Sequence, residues 1–295
     1  MNLSIKEAAE RIRAGELVAF PTETVYGLGA NALDPAAIAK IYELKGRPET
    51  SPLIVHAASI EMARALVTEW PAEAEQLAQQ YWPGPLTVVL PKAPSIPDIV
   101  TAGLWTVGVR VPAHPIALAL INHAGVPVAA PSANRFARLS PTTAEHVRQA
   151  FGGAVPVLDG GPCPVGIEST VVSLVGGKIT LLRPGMIALP DLEQAATPSA
   201  AHPAPGMHAR HYSPRTPLIL SCNPDSCGAY LWINRPAASA RSIQMPDDAA
   251  AYAARIYGAL HELDREDWPS ITVQPPPDTL EWAAIADRLT RAASK

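Results

Sequence analysis

The stretch Phe20-Pro-Thr-Glu-Thr-Val-Tyr-Gly-Leu-Gly29 constrains the fold more than any other part of the chain. A short apolar run, Leu17 to Phe20, has strand character. It breaks at Pro21 into the polar turn Thr22-Glu23-Thr24 and then meets two glycines. Proline removes a backbone donor and glycine admits close approach, so a strand must end and a loop begin here. Hydroxyls, a carboxylate and free backbone N–H groups are thereby set at the mouth of a strand, where sites usually sit. Asp34-Pro35 then opens a helix, with Asp at the N-cap and Pro at the first helical position. Ile38, Ile41 and Tyr42 share one face of it, and Gly46 stops it between Lys45 and Arg47. A residue before proline avoids the α region, so Arg47 must leave the helix axis. Lys45 and Arg47 either complement the helix C-terminus, worth about 0.3–1 kcal/mol, or reach an anion.

The remaining pattern alternates short strands with helices. Residues 4–14 read as an amphipathic helix capped by Ser4. Pro52–His56 reads as a buried strand, and Ser59 caps a helix to about Trp70. Helix 72–81 and strand Leu86–Leu90 follow. Thr106–Val111 alternates as a strand with Thr106, Gly108 and Arg110 on one side. Helix 116–123, strand Val126–Ala130, a helix from Thr142 or Thr143 to Phe151, and strand Val155–Leu158 come next. A hairpin turning at Gly176-Gly177 closes the series. This order predicts an α/β fold with a twisted mixed sheet and flanking helices over residues 1–189. Residues 190–216 are rich in proline and alanine and read as a linker. Its cluster Gly206-Met-His-Ala-Arg-His-Tyr212 suggests a lid that folds back onto a site. Residues 217–295 read as a small Rossmann-like α/β domain, with strands at Leu218–Leu220, Tyr230–Ile233 and Ile271–Val273 and helices at 249–263 and 280–293.

Composition narrows the function. The 295 residues carry a net charge of -4, which argues against a large non-specific nucleic-acid surface. Three cysteines without a C-x-x-C suggest neither a disulfide framework nor a zinc site and fit a cytoplasmic protein. Charges before residue 15 speak against a signal peptide, and no apolar run is long enough to span a bilayer. Walker A, nucleophile-elbow and dinucleotide-fold glycine motifs are all missing. His208-x-x-His211 lacks acidic or cysteine partners, and no metal site is expected there.

What remains is a set of cations and hydroxyls at strand ends: Thr22, Thr24, Lys45, Arg47, Thr106, Arg110, Ser132, Asn134, Ser140, Ser169 and Arg183. Arg110 inside an apolar strand is costly unless an anion faces it, either a ligand or a structural carboxylate. His56 reads first as a satisfied structural histidine. Cations converging without matching carboxylates call for a polyanion such as a nucleotide triphosphate, with a carboxylate-bearing second substrate. No side chain is an obvious nucleophile, so positioning and charge stabilisation are the expected means of catalysis.

These segments, together with Lys45-Gly-Arg-Pro48, Trp82-Pro-Gly-Pro-Leu-Thr87, Ala130-Pro-Ser-Ala-Asn134, Ser140-Pro-Thr142, Gly166-Ile-Glu-Ser-Thr170 and Leu182-Arg-Pro-Gly185, resemble the threonylcarbamoyl-AMP synthase family in its long two-domain form. The first part looks like a YrdC-like domain, and Pro205–Pro214 matches the long form's linker. The resemblance implies a nucleotidyltransferase that takes L-threonine, bicarbonate and ATP with Mg2+. It would release threonylcarbamoyl-AMP and pyrophosphate for proteins that modify adenosine 37 of tRNA, with little or no direct tRNA binding. By motif, threonine would meet Thr22, Thr24, His56, Arg110, Ser169 and the Ala130 backbone. ATP would meet Arg47, Ser51, Thr106, Ser132, Asn134, Ser140 and Arg183, with Tyr212 covering it, and Lys45 and Arg47 would serve the chemistry. Ser51 stands where the family usually has asparagine. Two other readings stay open: a carbamoyltransferase using a carbamoyl-adenylate, and a module binding structured RNA.

Overall fold

The structure is a computed structural model and describes residues 3–189, Leu192 and residues 211–294. His208, Arg210 and most of the expected linker lie outside the described residues. Among the described residues two sheets form. The first contains β1 (Val18–Phe20), β2 (Gly27–Asn31), β3 (Ile54–His56), β4 (Leu86–Pro91), β5 (Thr106–Arg110), β6 (Val128–Ala129), β7 (Thr170–Ser173) and β8 (Thr180–Arg183), in the order β1-β2-β6-β3-β5-β4-β7-β8. Pairing is mixed: β3 runs parallel to β5 and β4 to β7, and the other neighbours are antiparallel. The flanking helices are α1 (Ile5–Arg13), α2 (Pro35–Lys45), α3 (Ile60–Arg64), α4 (Ala72–Tyr81), α5 (Pro115–Ala124) and α6 (Ala144–Phe151). The second sheet, β11-β10-β12-β9, is fully parallel, from β9 (Leu218–Leu220), β10 (Ala229–Trp232), β11 (Arg241–Gln244) and β12 (Ile271–Val273). Helices α7 (Ala249–Leu263) and α8 (Ala283–Ala293) pack with it.

Local chemistry sets the boundaries. Ser4 and Glu7 form a reciprocal capping box on α1. Asp34 accepts from the Ala36 N–H, and Gly46 ends α2 in the left-handed conformation at φ 62°. Thr143, not Thr142, caps α6. Three expected elements are shorter than the sequence suggested. Residues 155–158 make only an isolated parallel bridge between Val157 and Ala19, since Pro156 has no N–H to extend it. Strand 126–130 shrinks to Val128–Ala129 between Pro127 and Pro131. The helix after Ser59 ends at Arg64, because the Thr68 N–H is taken by the Pro91 carbonyl. Two strands went unseen in the sequence: β2, whose glycines read as a loop, and β11, which buries only Ile243 and so lacks the apolar alternation of a half-buried strand.

The two sheets share a seam. Val25, Leu139 and Ile167 from the first part of the chain join the core around β10, β12, α7 and α8, as does Tyr212. At Gly166, φ is +80° and an added Cβ would lie 2.2 Å from the Ala253 carbonyl oxygen of α7. Gly166→Ala should therefore lower stability by about 1–3 kcal/mol through overpacking and strain. Thermal denaturation checks this, and an unchanged Tm would contradict it.

His146 of α6 and His261 of α7 stack across the seam with ring centroids 3.9 Å apart. Burial pushes His146 down to about 3 and His261 to about 4. His56 is also pushed down to about 3, by burial and then by the Arg110 guanidinium. A histidine in the unfolded chain takes up its proton below about pH 6.5, whereas these three stay neutral until far lower pH, so acidification favours unfolding. Stability should hold above about pH 6.5 and fall from there towards pH 4, by about 1 kcal/mol per pH unit for a fully enclosed histidine such as His56. A Tm at pH 5 equal to or above that at pH 7 would contradict this.

Candidate active site

A cavity opens where the ends of β1, β3, β5, β6 and β8 meet the seam. It brings together Thr22, Thr24, Arg47, His56, Arg110, Ala130, Ser132, Ser169, Arg183 and Tyr212, all from the expected set. Val25, Gly27, Ile54, Pro131, Glu168 and His211 complete its wall. Lys45, Ser51, Thr106, Asn134 and Ser140 do not line it.

The reasons are specific. Lys45 is buried, and its ammonium donates to the Ser132 carbonyl at 2.6 Å and the Asn134 carbonyl at 2.5 Å. It thus ties the end of α2 to the 132–134 loop. Burial, followed by repulsion from Arg47, holds its pKa well below the usual lysine range. Asn134 spends its amide on the Arg135 and Arg138 carbonyls. The Ser51 carbonyl faces the Arg47 guanidinium at 3.4 Å from behind. Ser140 donates to Glu168 Oε1 at 2.5 Å. Thr106 lies at the start of β5, paired with Pro91.

One side of the cavity is built on Arg110. Its Nη1 donates to Thr24 Oγ1 at 3.1 Å and its Nε to the Gly84 carbonyl at 3.1 Å. Its Nη2 lies 2.6 Å from Glu23 Oε1 as a buried ion pair. This corrects the expectation that the converging cations lack carboxylates, since Arg110 already has one. The pair is poorly directed, however: neither Glu23 oxygen nor Nη2 makes a hydrogen bond of good geometry. His56 Nδ1 is likewise buried with no partner among the described residues. Polar capacity is therefore left over beside Arg110. The Thr22 hydroxyl is engaged by the turn itself, donating to the Val25 carbonyl at 2.6 Å, so it shapes the loop that presents Thr24.

The other side is built on Arg47 and Arg183, both buried. Arg47 donates to the Pro52 carbonyl at 3.0 Å, and no carboxylate lies within ion-pair distance of it among the described residues. Burial lowers its pKa to about 10, and Arg183 adds repulsion. Arg183 donates to the Ser169 carbonyl at 3.1 Å and to Ser169 Oγ at 3.0 Å. Burial lowers Arg183 as well. An anion between these two guanidiniums would offset both desolvation and repulsion. Glu168 supplies part of this for Arg183, while its Oε2 is held by Arg288 Nε at 2.7 Å. Burial alone would raise Glu168, but Arg288, Arg183 and the Ser140 hydroxyl outweigh it and keep the carboxyl below its ordinary range.

Sequence reasoning missed Glu168 and the pairing of Glu23 with Arg110. The available signal for Glu168 was a carboxylate just ahead of the buried strand Thr170–Ser173, which cannot be buried without a cation.

Two family models match the chain. Sua5_yciO_yrdC, described as telomere recombination, covers residues 10–185, and the threonylcarbamoyl-AMP synthase C-terminal domain covers residues 179–294. The threonylcarbamoyl-AMP synthase of Bacillus subtilis is 39% identical over 98% of this chain and 92% of its own length. That of Pyrococcus abyssi is 50% identical over 73% of this chain and 67% of its own. The solved structure of P. abyssi Sua5 complexed with L-threonine aligns with a TM-score of 0.93, at 39% identity, over 98% of this chain and 94% of that one. T. kodakarensis HypF shares the fold alone, at 23% identity and a TM-score of 0.55 over 25% of its length. The chain belongs to the threonylcarbamoyl-AMP synthase family.

Proposed function

We propose that this protein is an L-threonylcarbamoyladenylate synthase, a nucleotidyltransferase that consumes L-threonine, bicarbonate and ATP. The observation that carries the reading is the division of one cavity into two chemically different halves. Arg47 and Arg183 form a cationic half suited to phosphates. Arg110, Thr24, His56 and Ser169 form a smaller polar half suited to an amino acid. The threonine bound to the P. abyssi relative supports the second assignment.

In this reading the threonine carboxylate is held near Arg110 and its side chain near Thr24 and His56. His56 is neutral at pH 7 and adds no further cation there. The neutral amine condenses with bicarbonate: a C–N bond forms, a bicarbonate C–O bond breaks, and the oxygen leaves as water with the amine proton, giving N-carboxy-threonine. That new carboxylate attacks the α-phosphate of ATP. The bond to the β-phosphate oxygen breaks, and pyrophosphate leaves with the electron pair. Arg47 and Arg183 stabilise charge on the transferring and leaving phosphates. Ser132 adds a donor on the same wall, and Tyr212 covers the nucleotide. Lys45, Asn134, Ser51 and Ser140 act by holding these groups rather than by touching phosphate, and Thr106 lies at the outer margin. ATP enters as its magnesium complex, with the ion carried by the phosphates. Among the described residues no group of three His, Cys, Asp or Glu is placed to hold a metal.

We further infer that residues 1–189 form the catalytic domain and 217–295 a small second domain that shares a core with it, and that the product passes to proteins that modify tRNA. No helix among the described residues is long and apolar enough to cross a membrane, in keeping with a cytoplasmic role. The test is pyrophosphate release from ATP with each substrate omitted in turn. Release that needs both threonine and bicarbonate is expected. Release with neither would contradict the proposal, and carbamoyl phosphate replacing both would favour the carbamoyltransferase reading.

A further inference from the structure

We propose that Arg288, from the last helix of the chain, is a positioning residue for the nucleotide half of the cavity, and that the second sheet and its helices serve the reaction through it. The proposal rests on the function proposed above. Arg288 is 1% exposed, although it lies on α8, 120 residues from its main partner in sequence. Its guanidinium donates in three directions, two of them across the seam. Nε donates to Glu168 Oε2 at 2.7 Å, Nη2 to the Pro184 carbonyl at 3.0 Å, and Nη1 to Asp287 Oδ2 at 2.7 Å. The same group lies 5.1 Å from the centre of the Tyr212 ring, within cation–π range.

Three of these four contacts end on the cavity or one residue from it, and the fourth, to Asp287, stays on α8. Glu168 and Tyr212 line it, and Pro184 follows Arg183 directly. Glu168 in turn accepts from Ser140 at 2.5 Å and from the Tyr257 hydroxyl of α7 at 3.2 Å. A planar fork is the side chain suited to holding a carboxylate, a carbonyl and a ring face at once. A salt bridge whose only role was stability is weak as a design, since apolar residues of equal volume often do as well. The threonine half contrasts with this at three of its four residues: Arg110, Thr24 and His56 are placed by β3, β5 and the turn after β1, with no hydrogen bond to α8 among the described residues, and only Ser169 is near Arg288, through the Glu168 peptide. Loss of Arg288 should therefore separate the two substrates.

The test uses the full chain. Arg288→Met should raise the KM for ATP by about tenfold or more, the loss expected from one charge-assisted contact plus a ring contact, while threonine affinity measured by calorimetry stays within about twofold. The paired variant Glu168→Gln/Arg288→Met leaves no unmatched charge. It should recover the Tm of the wild type but keep the raised KM for ATP. Recovery of both would overturn the proposal and leave the pair merely structural. A parallel loss of threonine affinity, or an unchanged KM for ATP, would overturn it equally. Should the neutral variants not fold, Arg288→Lys carries the test, because it keeps the charge and loses the fork: a raised KM for ATP at wild-type threonine affinity supports the proposal, and wild-type values overturn it. Wild-type protein runs in every assay, so absence of its pyrophosphate release identifies failure of the proposed function instead.

Discussion

Arg47→Met is expected to reduce threonine- and bicarbonate-dependent pyrophosphate release by about a hundredfold or more while leaving the fold intact or more stable. The two effects have a common cause. Arg47 is a buried cation whose hydrogen bonds go to carbonyls, without a carboxylate in ion-pair range among the described residues. Its burial costs folding free energy, and an anionic ligand supplies the missing compensation. Methionine removes that cost and keeps most of the volume. Under the proposed function, loss of two charge-assisted donors to phosphate, each on the order of 1.5–3 kcal/mol, makes a hundredfold a conservative figure. Steady-state kinetics and thermal denaturation on one sample check both parts. A variant with wild-type turnover would remove Arg47 from the chemistry. Lys45→Met provides the contrast: Lys45 holds its two carbonyls at 2.6 and 2.5 Å and ties α2 to the distant 132–134 loop, whereas Arg47 holds its two at 3.4 and 3.0 Å within five residues of itself, so the stability of Lys45→Met should fall together with its activity.

Arg110→Met should have the opposite thermodynamic sign. It leaves Glu23 buried without its cation, a loss of about 3–5 kcal/mol. Threonine affinity should fall by about a hundredfold, because the carboxylate loses the only cation on that half of the cavity among the described residues. Arg110→Lys should regain much of the stability but little of the affinity, since one ammonium cannot serve the Gly84 carbonyl, Thr24 and Glu23 together. Calorimetric titration with threonine and a denaturation curve decide this. Wild-type threonine binding by Arg110→Met would refute the assignment of this half.

The opposite signs for two arginines in one cavity mark what the sequence could and could not convey. Helix limits were legible wherever a cap fixed them, as at Ser4, Asp34-Pro35, Gly46 and Thr143. So was the gathering of Arg47, Arg110 and Arg183, because polar groups at strand ends must face somewhere. Partnerships were not legible. Glu23 pairs with Arg110 and Glu168 with Arg288 across folds of the chain that no local spacing encodes. Lys45 looked like a phosphate ligand from its neighbour Arg47, yet the close approach of loop 132–134 consumes its donors. Edge strand β11 was missed because its residues are mostly exposed and carry no apolar pattern.

The most direct measurement of the central claim is the mass of the adenylate formed from ATP, threonine and carbon-13-labelled bicarbonate. The claim is that one cavity joins an amino acid, a one-carbon unit and a nucleotide. It predicts a product containing AMP, threonine and the labelled carbon, formed by the wild type and lost in Arg47→Met. An adenylate without labelled carbon, or no adenylate from a folded, threonine-binding protein, would contradict it.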